Sequence, residues 1–100
     1  MFTGTLSKAA RALVQVSRSK LALRSNVPKE VIEMFERGLQ TPDENTVASP
    51  QLALEDLGAV FIPEERGNGA GVRLKLSRSV TDRLRTLVDE GGPSSTEAVP

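Results

Sequence analysis

Adjacent carboxylates recur three times in this sequence, as Asp43 and Glu44, Glu55 and Asp56, and Glu64 and Glu65. Paired acids can share proton transfer or grip a hard cation. Each pair here sits on an expected loop or helix end with no partner base, which is the pattern of solvated surface charge. The segment from Arg66 to Gly71 holds three glycines and is of the type that cradles phosphate. A phosphate cradle needs a helix opening directly behind it, or a Gly-Lys-Ser/Thr motif. Neither follows, and the turn preferences of Gly and Asn account for the run. The chain has no Cys and no His. That removes thiol nucleophiles, disulfides, imidazole bases, and zinc and most transition-metal sites. The expectation is a protein that is not an enzyme and uses neither cofactor nor metal.

Charge is the next chemistry available. The formal net charge is zero, but its distribution is uneven. Lys8, Arg11, Arg18, Lys20, Arg24 and Lys29 lie in the first 29 residues with no acid among them. Glu30, Glu33, Glu36, Asp43, Glu44, Glu55, Asp56, Glu64 and Glu65 then face only Arg37 and Arg66. This is a two-signed molecule, without the uniform basic footprint of a general nucleic-acid binder.

The elements that would position these charges are short. With 100 residues, 38% of them apolar, only three Phe and no Trp or Tyr, the core must be aliphatic and single. No apolar run is long enough to span a membrane and no secretory signal is visible, so a cytoplasmic protein is expected. Leu6, Ala9, Ala10, Leu13 and Val16 form a helical stripe over residues 5–16. Ser17 suits the N-cap of a second helix, 18–24, which buries Leu21 and Ala22. Asn26 tolerates the left-handed exit. Pro28 suits the start of a third helix, 29–37, which presents Val31, Ile32 and Phe35 inward and stops at Gly38.

A polar loop is expected over 40–46, then Ser49 as N-cap and Pro50 as first residue of a helix 50–57 ended by Gly58. Residues 59–62 and 72–76 read as a hairpin, with Val72, Leu74 and Leu76 alternating with Arg73 and Lys75. Ser79 with Asp82 resembles a capping box for a helix 80–90 carrying Leu84, Leu87 and Val88. Residues 91–100 are rich in Gly, Pro, Ser and Thr and read as a disordered tail. The expected fold is mainly α: a helix-turn-helix bundle of four to five helices with a two-stranded C-terminal hairpin. The domain would span 1–77, followed by a helix within 78–90 and the tail.

Ala9, Ala10, Arg11, Ala12 and Leu13, followed by Ser17, Leu21, Ala22, Val27, Ile32, Phe35, Glu36, Arg37 and Gly38, resemble the Xre/Cro/CI-type helix-turn-helix regulators. The likeness continues through Ala53, Leu54, Glu55, Gly58, Phe61, Ile62, Pro63, Glu64, Gly71, Val72, Arg73 and Leu74. That tail is similar to an alphaproteobacterial subgroup in which a short hairpin follows the helices. The match covers roughly residues 3–76. It implies a structural ion pair between Arg11 and Glu36 that ties the first helix to the third.

The resemblance also places the base-reading positions at Lys29, Glu30 and Met34, with Glu33 beside them, and a phosphate contact at Arg18, which Lys20 and Arg24 could assist. Lys29 could bind guanine and Glu30 could accept from cytosine. The sequence departs from the family here. The third helix is net acidic, and the loop behind it brings Asp43 and Glu44 where cations usually meet phosphate. Leu23, Met34 and Leu39 are apolar where the family tends to be polar, and several apolar residues around one surface point to a protein contact. Pro50 falls where the family continues a helix with an aliphatic side chain, and is expected to shorten that helix and remove a core group.

Two functions follow from the resemblance and its departures. In the favoured one, the chain is similar to small Xre-like antiactivators of quorum-sensing-type transcriptional activators. It would bind another transcriptional regulator through Leu23, Lys29, Glu30, Glu33, Met34 and Leu39. In the alternative, it is a repressor or activator that binds a palindromic DNA site as a dimer, through Arg18, Lys29, Glu30 and Met34.

Overall fold

In the computed structural model, which describes residues 2–77, 79, 80 and 83, the first helix is opened by a side chain. Thr3 is extended and its Oγ1 accepts the Leu6 N–H at 3.2 Å, satisfying one of the donors that a helix start leaves unpaired. Helix α1 (Gly4–Val14) then buries Leu6, Ser7, Ala10 and Val14 along one stripe. It ends before Val16, not at it. Gln15 is left-handed at φ 61°, and the Val16 N–H turns back to the Arg11 carbonyl at 3.0 Å, so Val16 enters the core from beyond the helix.

Helix α2 (Arg18–Ser25) starts where Ser17 Oγ accepts the Lys20 N–H at 3.0 Å, and it buries Leu21 and Ser25. Asn26 is left-handed at φ 60°, and after Val27 and Pro28 the chain enters α3 (Lys29–Glu36). Ile32 is buried there, with Val31 and Phe35 half-buried. Gly38, at φ 74°, supplies the left-handed residue that closes α3.

The fourth helix corrects the expectation from sequence. Helix α4 (Glu44–Asp56) begins six residues before Pro50, so the expected loop 40–46 ends early and Pro50 lies inside the helix. Asp43 takes the N-cap, its carboxylate accepting the Thr46 N–H at 2.7 Å. Ser49 does not cap; its Oγ donates to the Ser25 carbonyl at 2.5 Å, joining α4 to the end of α2. Pro50 neither shortens the helix nor leaves the core, for it is itself buried beside Ala53 and Leu54. The cap at Asp43, together with burial of Pro50, Ala53 and Leu54, outweighs the preference of Pro for a first turn.

The Thr46 N–H holds the Asp43 carboxyl below its ordinary range. Asp43→Ala is therefore expected to lower the thermal midpoint, whereas Asp43→Asn, which can still accept, should keep most of it. Melting followed by circular dichroism checks both.

Strands β1 (Ala59–Ile62) and β2 (Gly71–Leu74) pair antiparallel, with Ala59 opposite Leu74 and Ile62 opposite Gly71. The hairpin reverses at Arg66 and Gly67, both with positive φ, between the bridged residues Glu65 and Asn68. Two positive φ values in a two-residue turn match the twist of the flanking strands. The second strand stops at Leu74, short of the expected Leu76, which is exposed.

The hairpin packs on α1 and α4, so the marginal stability of two isolated strands is not at issue. One aliphatic core results, of Ala10, Val14, Val16, Leu21, Ile32, Ala53, Leu54 and Ala59. At its margin Phe2 stands between Phe35 and Phe61, with ring centroids 5.6 and 5.2 Å away. Up to Leu74 the described residues thus form four helices and a two-stranded hairpin, mainly helical as expected. Among the described residues no helix is long and apolar enough to cross a membrane. The expected helix 80–90 and the tail 91–100 lie almost wholly outside the described residues, Asp82, Leu84, Leu87 and Val88 included.

Candidate functional site

One buried carboxylate organises the three N-terminal helices. Glu36, at the end of α3, has a fully covered side chain. Its Oε1 accepts from Arg11 Nη2 at 2.6 Å and from Arg18 Nε at 3.0 Å, and its Oε2 accepts from Arg11 Nε at 2.8 Å and Ser7 Oγ at 2.6 Å. The Arg11 fork is bidentate, the strongest geometry available to this pair. Burial alone would push the Glu36 carboxyl up; the hydrogen bonds from Arg11, Ser7 and Arg18, with the Arg11 charge, overcome it and leave the group below its ordinary 4.5. Arg11 also donates to the Val16 carbonyl at 3.3 Å, fixing the exit of α1. This cluster is structural in form: no buried polar atom in it lacks a hydrogen-bond partner.

The cluster also fixes Arg18. A side chain assigned to phosphate by resemblance has its Nε on Glu36 and is only partly exposed. Removing it would loosen the interior as well as any DNA contact. Arg37, the C-cap of α3, also pairs at the surface with Glu33 at 3.4 Å, one turn back. Lys20, Arg24 and Lys29 are exposed and have no salt bridge among the described residues.

The six candidate partner-binding residues fall into two groups. At the entry of α3, Leu23 and Lys29 line one open depression with Ser19, Ala22, Asn26, Val27 and Pro28. Leu23 is 83% exposed, the highest value among the large apolar side chains of the described residues. Helical spacing on α2 sets Ser19, Ala22, Leu23 and Asn26 over two turns, which is why they share a wall. Glu30 is exposed in the first turn of α3, where an acid suits the positive end of the helix. It does not line the depression. At the exit of α3, Glu33 and Met34 are half-buried, and the Met34 carbonyl accepts the Leu39 N–H at 2.9 Å. That bond holds Leu39 where its side chain is 57% exposed.

Two features escaped the sequence reading. Ser7 is one; it lies one turn before Arg11 on α1, and that spacing was the signal that both face the same acceptor. Leu52 is the other. It is 61% exposed on α4, and its outward direction follows once the helix is started at Asp43, because Pro50, Ala53 and Leu54 take the inner face. No protein-family model and no curated protein matches this chain.

Proposed function

We propose that this chain acts in transcriptional regulation as a protein-binding module. It is an Xre-type helix-turn-helix scaffold that captures another regulator, as an antiactivator of a quorum-sensing-type activator, and does not read DNA. The depression at the α2–α3 corner carries this reading, with Ala22, Leu23, Val27 and Pro28 in its lining and Leu23 almost fully exposed. Covering one leucine is worth about 1.5–3 kcal/mol, a gain that a phosphate backbone cannot supply. Arg18, which the resemblance places on phosphate, has its Nε engaged with the buried Glu36 carboxylate, which further supports it.

The DNA reading keeps one supporting observation, the exposed cations Lys20, Arg24 and Lys29 around the same corner. The two readings separate in a paired experiment: affinity capture from host cells with the chain as bait, beside a mobility-shift assay on DNA upstream of its gene. Under the protein-binding reading, Leu23→Asp releases the captured regulator, a loss of about 2 kcal/mol or more for a buried apolar anchor. Leu39→Asp tests whether the exit of α3 belongs to the contact, and Lys29→Ala changes no DNA shift. A sequence-specific shift at nanomolar protein and physiological salt, lost in Lys29→Ala, would overturn it.

A further inference from the structure

Between Ser17 and Lys29 the chain has four bases and no acid. Arg18 is tied to Glu36, which leaves Lys20, Arg24 and Lys29 exposed. Their placement follows from helix geometry. Lys20 lies one turn before Leu23 on the same side of α2, Arg24 follows Leu23 on the adjoining side, and Lys29 lines the α3 side of the depression. A largely apolar depression therefore has one cation, Lys29, in its lining and two more, Lys20 and Arg24, outside it on the helix that carries Leu23. None has a salt bridge among the described residues, and the nearest acid in sequence, Glu30, also lies outside the lining.

We propose, building on the protein-binding reading above, that the α2–α3 depression docks an acidic protein segment: one or two large apolar side chains flanked by carboxylates. The apolar side chain would cover Leu23, Ala22, Val27 and Pro28 and supply the affinity. The flanking carboxylates would meet Lys20, Arg24 and Lys29 and set on-rate and selectivity, as rim charges do. A second copy of this chain is a poor occupant through this face. A two-fold contact would set the same cations against themselves. Nucleic acid would satisfy the cations but would leave Leu23 without an apolar partner.

The test uses the full chain, isotopically labelled, and a short synthetic peptide with Leu and Phe anchors flanked by Glu. Amide shifts are expected at Ala22, Leu23, Val27 and Lys29. Replacing the peptide's Glu by Gln should weaken binding about tenfold or more at low salt, corresponding to about 1.4 kcal/mol. The variant Lys20→Glu/Arg24→Glu/Lys29→Glu should lose the acidic peptide and gain a counterpart with Lys in place of Glu; that gain also shows that the variant is folded. Absence of binding by the acidic peptide, equal binding by the Gln peptide, or shifts elsewhere would overturn the proposal. So would displacement of the peptide by a random DNA duplex at physiological salt. The captured regulator distinguishes the two proposals. If Leu23→Asp releases it and the charge reversal does not, protein binding stands and the acidic partner falls. If neither change releases it and specific DNA binding appears, both fall.

Discussion

Glu36→Ala is expected to lower the unfolding free energy by about 3 kcal/mol or more, the cost typical of breaking a buried ion pair from one side. The substitution removes the acceptor for two guanidinium groups and for the buried Ser7 hydroxyl in one step. Arg11 and Arg18 are 15% and 29% exposed, so part of their charge can be rehydrated, which places the cost at the lower end of the range. Ser7 is fully buried and has no such recourse. Chemical denaturation of the two proteins measures the difference, and an unchanged midpoint would show that the cluster contributes nothing.

The same group gives the fold a pH dependence. Its carboxyl titrates below its ordinary 4.5 in the folded chain, so as pH falls the unfolded chain takes up the proton first. The stabilisation from Glu36 is complete above the unfolded value and is lost as pH drops through the folded one. Glu36→Ala should flatten that acid limb.

Gly4→Ala is the second large effect, and helix propensity gives it the wrong sign. Alanine is favoured over glycine inside a helix by about 1 kcal/mol. A Cβ at Gly4, however, would lie 2.2 Å from the Phe35 carbonyl oxygen and 3.0 Å from the Glu36 Cα, both backbone atoms of α3. Neither can rotate away, so α1 must move off α3, disturbing the Phe2–Phe35 contact and the Glu36 cluster beside it. Overpacking of this kind costs about 1–3 kcal/mol, and a net loss of about 2 kcal/mol is expected. Thermal melting decides it: a rise in midpoint for Gly4→Ala would mean that propensity wins and that the helices part at little cost.

How much of this was legible in the sequence depended on the range of the interaction. The caps at Ser17, Asn26 and Gly38 and the presence of the hairpin are local, and their residue types announced them. The start of α4 was misread because two local rules competed. Pro50 after Ser49 looked like a helix opening, and only burial of the proline together with the Asp43 cap resolves the contest. The long-range contacts were legible only through resemblance. Arg11 with Glu36 was named that way, whereas Arg18 and Ser7 converging on the same carboxylate, and the close approach at Gly4, depend on how three helices cross. At the candidate site, the sequence offered Leu23 as a departure from the family pattern and Lys29 separately as a base-reading position. What it lacked was their joint placement around one depression at the α2–α3 corner.

The proline within α4 has a further consequence, for local opening. Pro50 offers no N–H to the Thr46 carbonyl one turn back, so the hydrogen-bond ladder of α4 is interrupted between its two halves. The first half hangs on the Asp43 cap and on the Ser49 bond to Ser25, while the second is anchored by Ala53 and Leu54 in the core. Fraying that begins at Glu44 is therefore expected to stop at Pro50, with amide protons before it exchanging faster than those after it, which hydrogen exchange measures. The end of α2 is coupled to the weaker of the two units through Ser25. Opening of the first turns of α4 is thereby expected to loosen the end of the helix that carries Leu23.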